Sequence, residues 1–429
     1  MDRRQFLFAA GAGSAASVAS ANTTISAAVK RVAGAANDWA AVKSSFDPAP
    51  NIVQMAAFYL ASHPKPVRDA IERHRRGLDR EAHGYIHHQG PKSERGLRAA
   101  AAEYMAVDPD HLSQVGSTTA GLGLTYANLQ MKPEWEILTD TRDHIVTRIA
   151  AMHGANRAGG SYRQAALYAE PAKVSTDEVV RNVRENLRDN TRLFGMTWVH
   201  SGTGVKMPVE AVGEVIAAHN KGKSDESRTL FAIDGVHGLG NQDVDIPAMG
   251  ADFFIAGTHK WMNGPRGTGL IWAKPDAQAF IDRTIPTFDP MWREMPPQQM
   301  PQAAWHTPGG FHAFEHTWAV EDAFRWHLSL GRKRVAERIA GLNTMAKEGL
   351  SALPKVTLAT PMKADYSAGI IAFDVAGWDP YEAVDKLLEK GVVASVVPSF
   401  YNPLYVRVAP SLMNDEDDVR RTVAAIAEL

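Results

Sequence analysis

Five short runs constrain this chain more than anything else in it. They are "WEILTD" (135–140), "TRLFGMTWV" (191–199), "TLFAID" (229–234), "DFFIAG" (252–257) and "TGLIWA" (268–273). Each lacks the polar alternation of a strand with one wet face, so each must be covered on both faces. Helical segments lie between several of them, for example 175–188 and 208–219. Strands of this kind alternating with helices predict an α/β fold with a mostly parallel, doubly wound sheet. Two further helices are expected upstream: "PKPVRDAIERHRRGL" (64–78), with proline near its start, and "LRAAAAEYMAV" (97–107), rich in strong formers.

The character changes after about 290. "MWREMPPQQMPQAAWHTPGG" (291–310) is rich in Pro, Gln and Met and reads as a crossing linker, followed by a long helical region over roughly 317–350. Strand "GIIAFDV" (369–375) comes next. Helix "DPYEAVDKLLEKG" (379–391) has Asp379 as N-cap, Glu382 in capping-box position and Gly391 as its stop. Strand "LYVRVA" (404–409) and helix "NDEDDVRRTVAAIAEL" (414–429) close a smaller α+β unit. The expected organisation is therefore a leader at 1–21, an arm at 22–63, a large domain at 64–290, and a linker with a small C-terminal domain at 291–429.

The leader, "MDRRQFLFAAGAGSAASVASAN", places Arg3 and Arg4 before Phe6 and Leu7, then a weakly apolar stretch ending in Ala19-Ser20-Ala21. This resembles a twin-arginine export signal with an A-x-A cleavage site, which implies the twin-arginine translocase as a partner and a periplasmic location. The chain has no cysteine, which suits an oxidising compartment and removes thiolate nucleophiles and thiolate metal sites. A formal net charge of −2 gives no electrostatic reason to expect nucleic acid or an anionic membrane. No run beyond the leader is long and apolar enough to span a bilayer.

Ligands of open α/β sheets bind beyond the carboxyl ends of the strands, and four such ends carry unusual residues. "GSTTAGLGLTYANL" (116–129) opens a helix with hydroxyls and free N–H groups, a cradle for phosphate or an ordinary N-cap. "FAIDGVHGLG" (231–240) ends a strand in Asp234, whose carboxylate needs a cation such as a protonated ring nitrogen, or else serves as a cap. His237 follows three residues later. "GTHKWMNGPRGTG" (257–269) puts Lys260 at a strand exit, where desolvation lowers an amine's pKa and frees it to attack an aldehyde. Taken alone, it also fits an exposed loop lysine. "TWVHSGTGVKMP" (197–208) ends another strand with His200 and Ser201.

The order of these motifs is more specific than any one of them. A phosphate-type turn, then Asp-x-x-His, then His-Lys and a glycine-rich turn resembles the class V aminotransferase superfamily of fold-type I pyridoxal-phosphate enzymes. "DGVHGLG" and "THKWMNGPRGTG" are most similar to its isopenicillin N epimerase-like branch. The resemblance covers roughly 50–425. It implies pyridoxal 5′-phosphate as cofactor and a homodimer. It implies that Lys260 bonds the cofactor aldehyde and carries the proton, and that Asp234 partners the pyridine nitrogen. Thr118, Thr119, Thr258 and His259 become phosphate contacts, His144 stacks on the ring, and His237 lies beside the ring hydroxyl. Thr268 reaches a neighbouring subunit's phosphate, and Arg407, in "YVRVAPSLMNDEDDV" (405–419), holds a substrate α-carboxylate. Ser201 stands where the family usually has asparagine. Without cysteine, desulfuration through a protein persulfide is excluded, which leaves transamination, elimination, racemisation or epimerisation. With export, the resemblance implies an amine substrate outside the cytoplasm, such as a secreted peptide or siderophore precursor. A protein that keeps the fold without turnover is the alternative of another class.

Three further signals have plainer readings. "HAFEH" (312–316) fits an inverted zinc-protease pattern but lacks other zincin context, so no metal is expected. "HGYIHHQ" (83–89) is expected to be a polar loop at the site mouth. Trp292, Trp305, Trp318 and Trp326 are expected in the core or an interface, with one or two lining a pocket.

Overall fold

The structure, a computed structural model, describes residues 39–429. The export signal expected at 1–21 lies outside the described residues. In chain order the strands are β1 (Val53–Gln54), β2 (Leu112–Val115), β3 (Glu136–Asp140), β4 (Ser161–Ala165), β5 (Thr191–Thr197), β6 (Leu230–Asp234) and β7 (Phe253–Gly257). They continue with β8 (Gly269–Ala273), β9 (Val356–Leu358), β10 (Ile371–Val375), β11 (Val392–Val393), β12 (Ser395–Val396) and β13 (Val406–Val408). All five apolar runs become strands of one seven-stranded sheet, ordered β2-β8-β7-β6-β5-β3-β4. β7, β6, β5, β3 and β4 pair in parallel, and β8 alone runs against both neighbours. Every residue of β3, β5, β6, β7 and β8 is buried, as their composition requires. β4 and β5 leave β3 on opposite sides, so a crevice opens at the carboxyl ends of β3 and β5.

A second sheet, antiparallel and ordered β12-β13-β10-β9, packs its own apolar core against the helices Arg332–Ser351 and Glu416–Ala427. Chain from before residue 64 joins it: β1 pairs in parallel with β11, and Lys43 bridges Asp415 and Asp418, each at 2.7 Å. Asp415 caps the last helix in a capping box with Asp418, so the acidic run 415–418 is that helix's first turn. Asp379 likewise caps its helix, accepting from the Tyr381 and Glu382 N–H groups, and Gly391 takes φ +76° just beyond it.

The sequence expectations need three corrections. The stretch 83–89 is not a loop at the site mouth. It lies in the helix Ala82–Met105, whose interior holds Pro91. Burial overrides weak propensity here: Tyr85 and Ile86 pack on a cluster of Trp292, Phe314 and Trp318, and Gly90 lies against the Trp292 ring. The helical region 317–350 is also divided, into Phe314–Trp318, Val320–Leu330 and Arg332–Ser351. Gly331, at φ +85°, makes the second break. None of the four tryptophans lines the pocket described next. Trp292 and Trp318 are core, and Trp305 stacks on Arg283.

Candidate active site

β7 delivers Lys260. Its last residue leads into a closed turn in which Thr258 N–H donates to Thr268 O, Gly264 N–H to Thr258 O and Asn263 N–H to Lys260 O. Asn263 adopts φ +52°, which asparagine tolerates better than most side chains. The turn aims the Lys260 amine back across the strand ends. Nζ lies 3.0 Å from His237 Nε2. Burial drives its ammonium down to about 8; Asp234 opposes the fall and Arg407 adds to it.

β6 delivers Asp234, 3% exposed. One carboxylate oxygen accepts from Val236 N–H at 3.2 Å and the other from the Thr147 hydroxyl at 3.1 Å. Burial pushes its carboxyl above the ordinary range, opposed by these two bonds and by Lys260. A cation placed against it would favour the ionised form.

The helix Thr118–Ala127 starts at the carboxyl end of β2. Ser117 caps it, accepting from Ala120 N–H at 3.1 Å, and Gly257 N–H donates to Thr118 Oγ1 at 2.8 Å. That second bond fixes the helix start beside the end of β7. His144, after β3, accepts from Val146 N–H through Nδ1 at 3.2 Å, and burial drives it down to about 4. Its ring is therefore neutral near pH 7, as a stacking partner should be. One pocket of about 160 Å³ is lined by Ser117, Thr118, Thr119, His144, Thr197, Ser201, Asp234, His237, His259 and Lys260, among others.

The remaining expected residues form its surroundings. Thr258 and Thr268 are buried behind the wall with their hydroxyls 2.5 Å apart. Thr268 faces a second cavity, about 290 Å³, lined also by Gln114, Arg266 and His316. Arg407 Nη1 donates to the Ser201 carbonyl (2.8 Å) and hydroxyl (2.9 Å), and Nη2 donates to Val396 O (2.9 Å). Its guanidinium lies over the Phe58 ring, while Nε is buried without a partner. His200 does not line the pocket; its Nδ1 meets the Tyr168 hydroxyl at 2.8 Å. Sequence reasoning offered an N-cap at the turn where Ser117 supplies it, but it missed Thr147 as the Asp234 partner, Phe58 beneath Arg407, and the Trp261 indole, which donates to His237 Nδ1 at 3.3 Å. The Gly-Ser-Thr-Thr turn was a usable signal for Ser117. The others depend on distant chain meeting in space.

Solved structures share this architecture. A complex of the cystine C–S lyase C-DES with its product cysteine persulfide matches with a TM-score of 0.78 at 20% identity, covering 88% of this chain and 98% of that one. The apo cysteine desulfurase of Thermococcus onnurineus matches with a TM-score of 0.77 at 17% identity, covering 91% and 97%. The architecture is that of the fold-type I pyridoxal-phosphate enzymes. Isopenicillin N epimerase of Streptomyces clavuligerus is 23% identical over 410 residues, which are 91% of this chain and 98% of that protein. A cysteine desulfurase of an Enterobacter species is 24% identical over 390 residues, 86% and 91% respectively. The family model for aminotransferase class-V matches residues 61–411, and the chain belongs to that family of pyridoxal-phosphate enzymes.

Proposed function

We propose that this chain is an exported enzyme acting at the Cα amine of an amino acid, or of an amino-acid residue within a secreted peptide or siderophore precursor, with transamination-type chemistry. One observation carries the catalytic part: a half-buried lysine whose amine, desolvated in the pocket that holds Asp234 and the Thr118 helix start, has a lowered pKa.

The pocket residues fit the cofactor. Ser117, Thr118 and Thr119, at the positive end of a helix, would hold the phosphate. Asp234 would hold a proton on the ring nitrogen, and His144 would cover a ring face. Pyridoxal phosphate, when bound, supplies an aldehyde that holds the amine and a ring that withdraws electrons from Cα. Lys260 Nζ, as the free amine, would remove the proton from Cα and deliver it to the C4′ carbon of the bound group, the transfer that transamination requires. Ser201 and Val396 hold the Arg407 guanidinium ready for an α-carboxylate. Thr268 lines the second cavity rather than this pocket, which supports its service to a neighbouring subunit in a homodimer.

A second reading is epimerisation or β-elimination on a free amino acid, favoured by the epimerase and C–S lyase relatives. The chain has no cysteine to carry a persulfide, so those relatives do not favour desulfuration through one. Purified protein should be yellow, and borohydride should attach the cofactor mass at Lys260. Incubation with amine-bearing peptides and amino acids, with and without a keto-acid acceptor, then separates the readings. Acceptor-dependent turnover of peptide amines supports the first. Acceptor-independent turnover of free amino acids overturns it in favour of the second.

A further inference from the structure

The Trp261 side chain follows Lys260 in the same turn, is buried, and donates its Nε1–H to His237 Nδ1 at 3.3 Å. An indole nitrogen is a donor only, so His237 Nδ1 must present a lone pair. In a neutral imidazole the proton then sits on Nε2, the atom 3.0 Å from Lys260 Nζ. We propose that Trp261 is a positioning residue that locks His237 as its Nε2–H tautomer, making His237 a hydrogen-bond donor into the pocket and disfavouring the ammonium form of Lys260.

Two donors cannot face each other across one hydrogen bond. A charged Lys260 would need an accepting Nε2, and His237 would then carry its proton on Nδ1, against the indole N–H. The Trp261 bond must break for that to happen, so its free energy counts against the ammonium. Other groups facing Lys260 act independently: Asp234 favours the charged amine, while Arg407 disfavours it. The remaining charges around His237 all oppose a second proton on it. Burial first, and then the cations Lys260 and Arg407, hold its pKa well below the usual value. The indole cannot easily swing away. It packs in a cluster with Phe58, Ile370 and Leu412, and a Cβ at Gly369 would sit 2.3 Å from its ring. With the tautomer fixed, His237 cannot serve as a base at Nε2. It offers a proton to an electron-rich oxygen of whatever occupies the pocket.

The inference rests on the proposed site only in taking Lys260 as the reactive amine. The test uses full-length protein with ¹⁵N-labelled histidine, with and without added pyridoxal phosphate. In the wild type the His237 Nδ1 should show the shift of an unprotonated ring nitrogen, and Nε2 that of a protonated one. Trp261→Phe keeps a ring and removes the donor; its His237 should populate both tautomers. Competitive acylation of Lys260 in cofactor-free Trp261→Phe should show its midpoint raised by about half to one pH unit, the worth of one ordinary hydrogen bond. Trp198→Phe removes a neighbouring buried indole that makes no bond to His237, and should leave both readouts unchanged. A protonated Nδ1 in the wild type, or a Trp261→Phe chain indistinguishable from it, overturns the proposal. If Trp261→Phe does not fold, the wild-type tautomer decides alone. Failure of the cofactor to attach at Lys260 overturns the site reading instead, and leaves the tautomer result standing.

Discussion

A lysine with an ordinary pKa is about 0.03% neutral at pH 7, whereas one near 8 is about 10% neutral. Lys260, brought down to about 8 by burial, should therefore capture an aldehyde far more readily than a surface lysine. Cofactor uptake by cofactor-free protein, followed by absorbance, should quicken about tenfold per pH unit from 6 to 7 and level off near 8. A climb that continues past 10 would mean the amine is not buried. The same shift acts on stability. Between about 8 and 10.5 the unfolded chain keeps a proton that folded Lys260 has released, so raising the pH through that window favours the fold. Arg407 gives a second test at this scale. Arg407→Lys cannot reproduce a planar two-point grip, so KM for substrates bearing an α-carboxylate should rise about 10- to 100-fold. Amines lacking the carboxylate should be little affected, and equal loss for both would remove Arg407 from carboxylate binding. Lys260 and Asp234 were legible from sequence because a charged group at the end of an apolar strand needs a reason. Thr147 was not: its hydroxyl reaches Asp234 across 87 positions, and nothing local in "DHIVTR" announces it. Trp261 was visible as a neighbour of Lys260, but its donor's direction is set only by packing.

The helix Thr118–Ala127 carries two glycines with opposite surroundings. A Cβ at Gly123 would meet nothing within 4 Å, whereas one at Gly121 would lie 2.6 Å from Ile255 Cγ2 and 3.3 Å from Ile271 Cγ1, both in the sheet. Helix propensity favours alanine at either site by about 1 kcal/mol. At Gly123 that gain stands, and Gly123→Ala should raise the thermal midpoint by about 1 °C. At Gly121 the helix must lift from β7 and β8, a cost of about 1–3 kcal/mol, so Gly121→Ala should lower it. Because the start of this helix is tied to Gly257, Gly121→Ala should also weaken phosphate and cofactor binding while Gly123→Ala does not. Thermal melts and cofactor titrations of the two variants check both halves. Elements of this kind were readable wherever one period dominated: the buried strands, the helix Thr176–Asn186, and the capped helix Pro380–Glu389. They were misread where tertiary contacts outweighed local signals. The stretch 83–89 reads as a polar loop, yet the tryptophan cluster holds it in a helix. The region 317–350 has helical periodicity throughout, and the turn at Gly331 shows only in its φ.

At the scale of the molecule, the site draws on widely separated chain. Phe58 lies under Arg407, Arg407 comes from β13 of the smaller sheet, and Lys260 comes from β7 of the larger one. The turn after β5 is clamped between the sheets: Thr360 donates to Thr203 O at 2.6 Å, Lys206 N–H to Tyr366 O at 2.9 Å, and Arg407 to Ser201. Such a site cannot exist in a partly threaded chain. The pocket walls span Ser117 to Lys260, and Arg407 reaches Ser201 from across 206 positions, so the complete site forms only in the folded chain. We propose that a translocase carrying folded proteins meets that requirement, as the twin-arginine signal expected around Arg3 and Arg4 implies. In its host, the wild-type protein should fractionate with the periplasm already carrying cofactor. Replacing both arginines by lysine should retain it inside the cell, equally loaded and equally active after purification, because the pocket lining from Ser117 to Lys260 is unchanged. Wild-type levels of the double variant outside the inner membrane would remove the twin-arginine route. Export of wild-type protein that gains its colour only when cofactor is added afterwards would show that folding and loading are not coupled before transport.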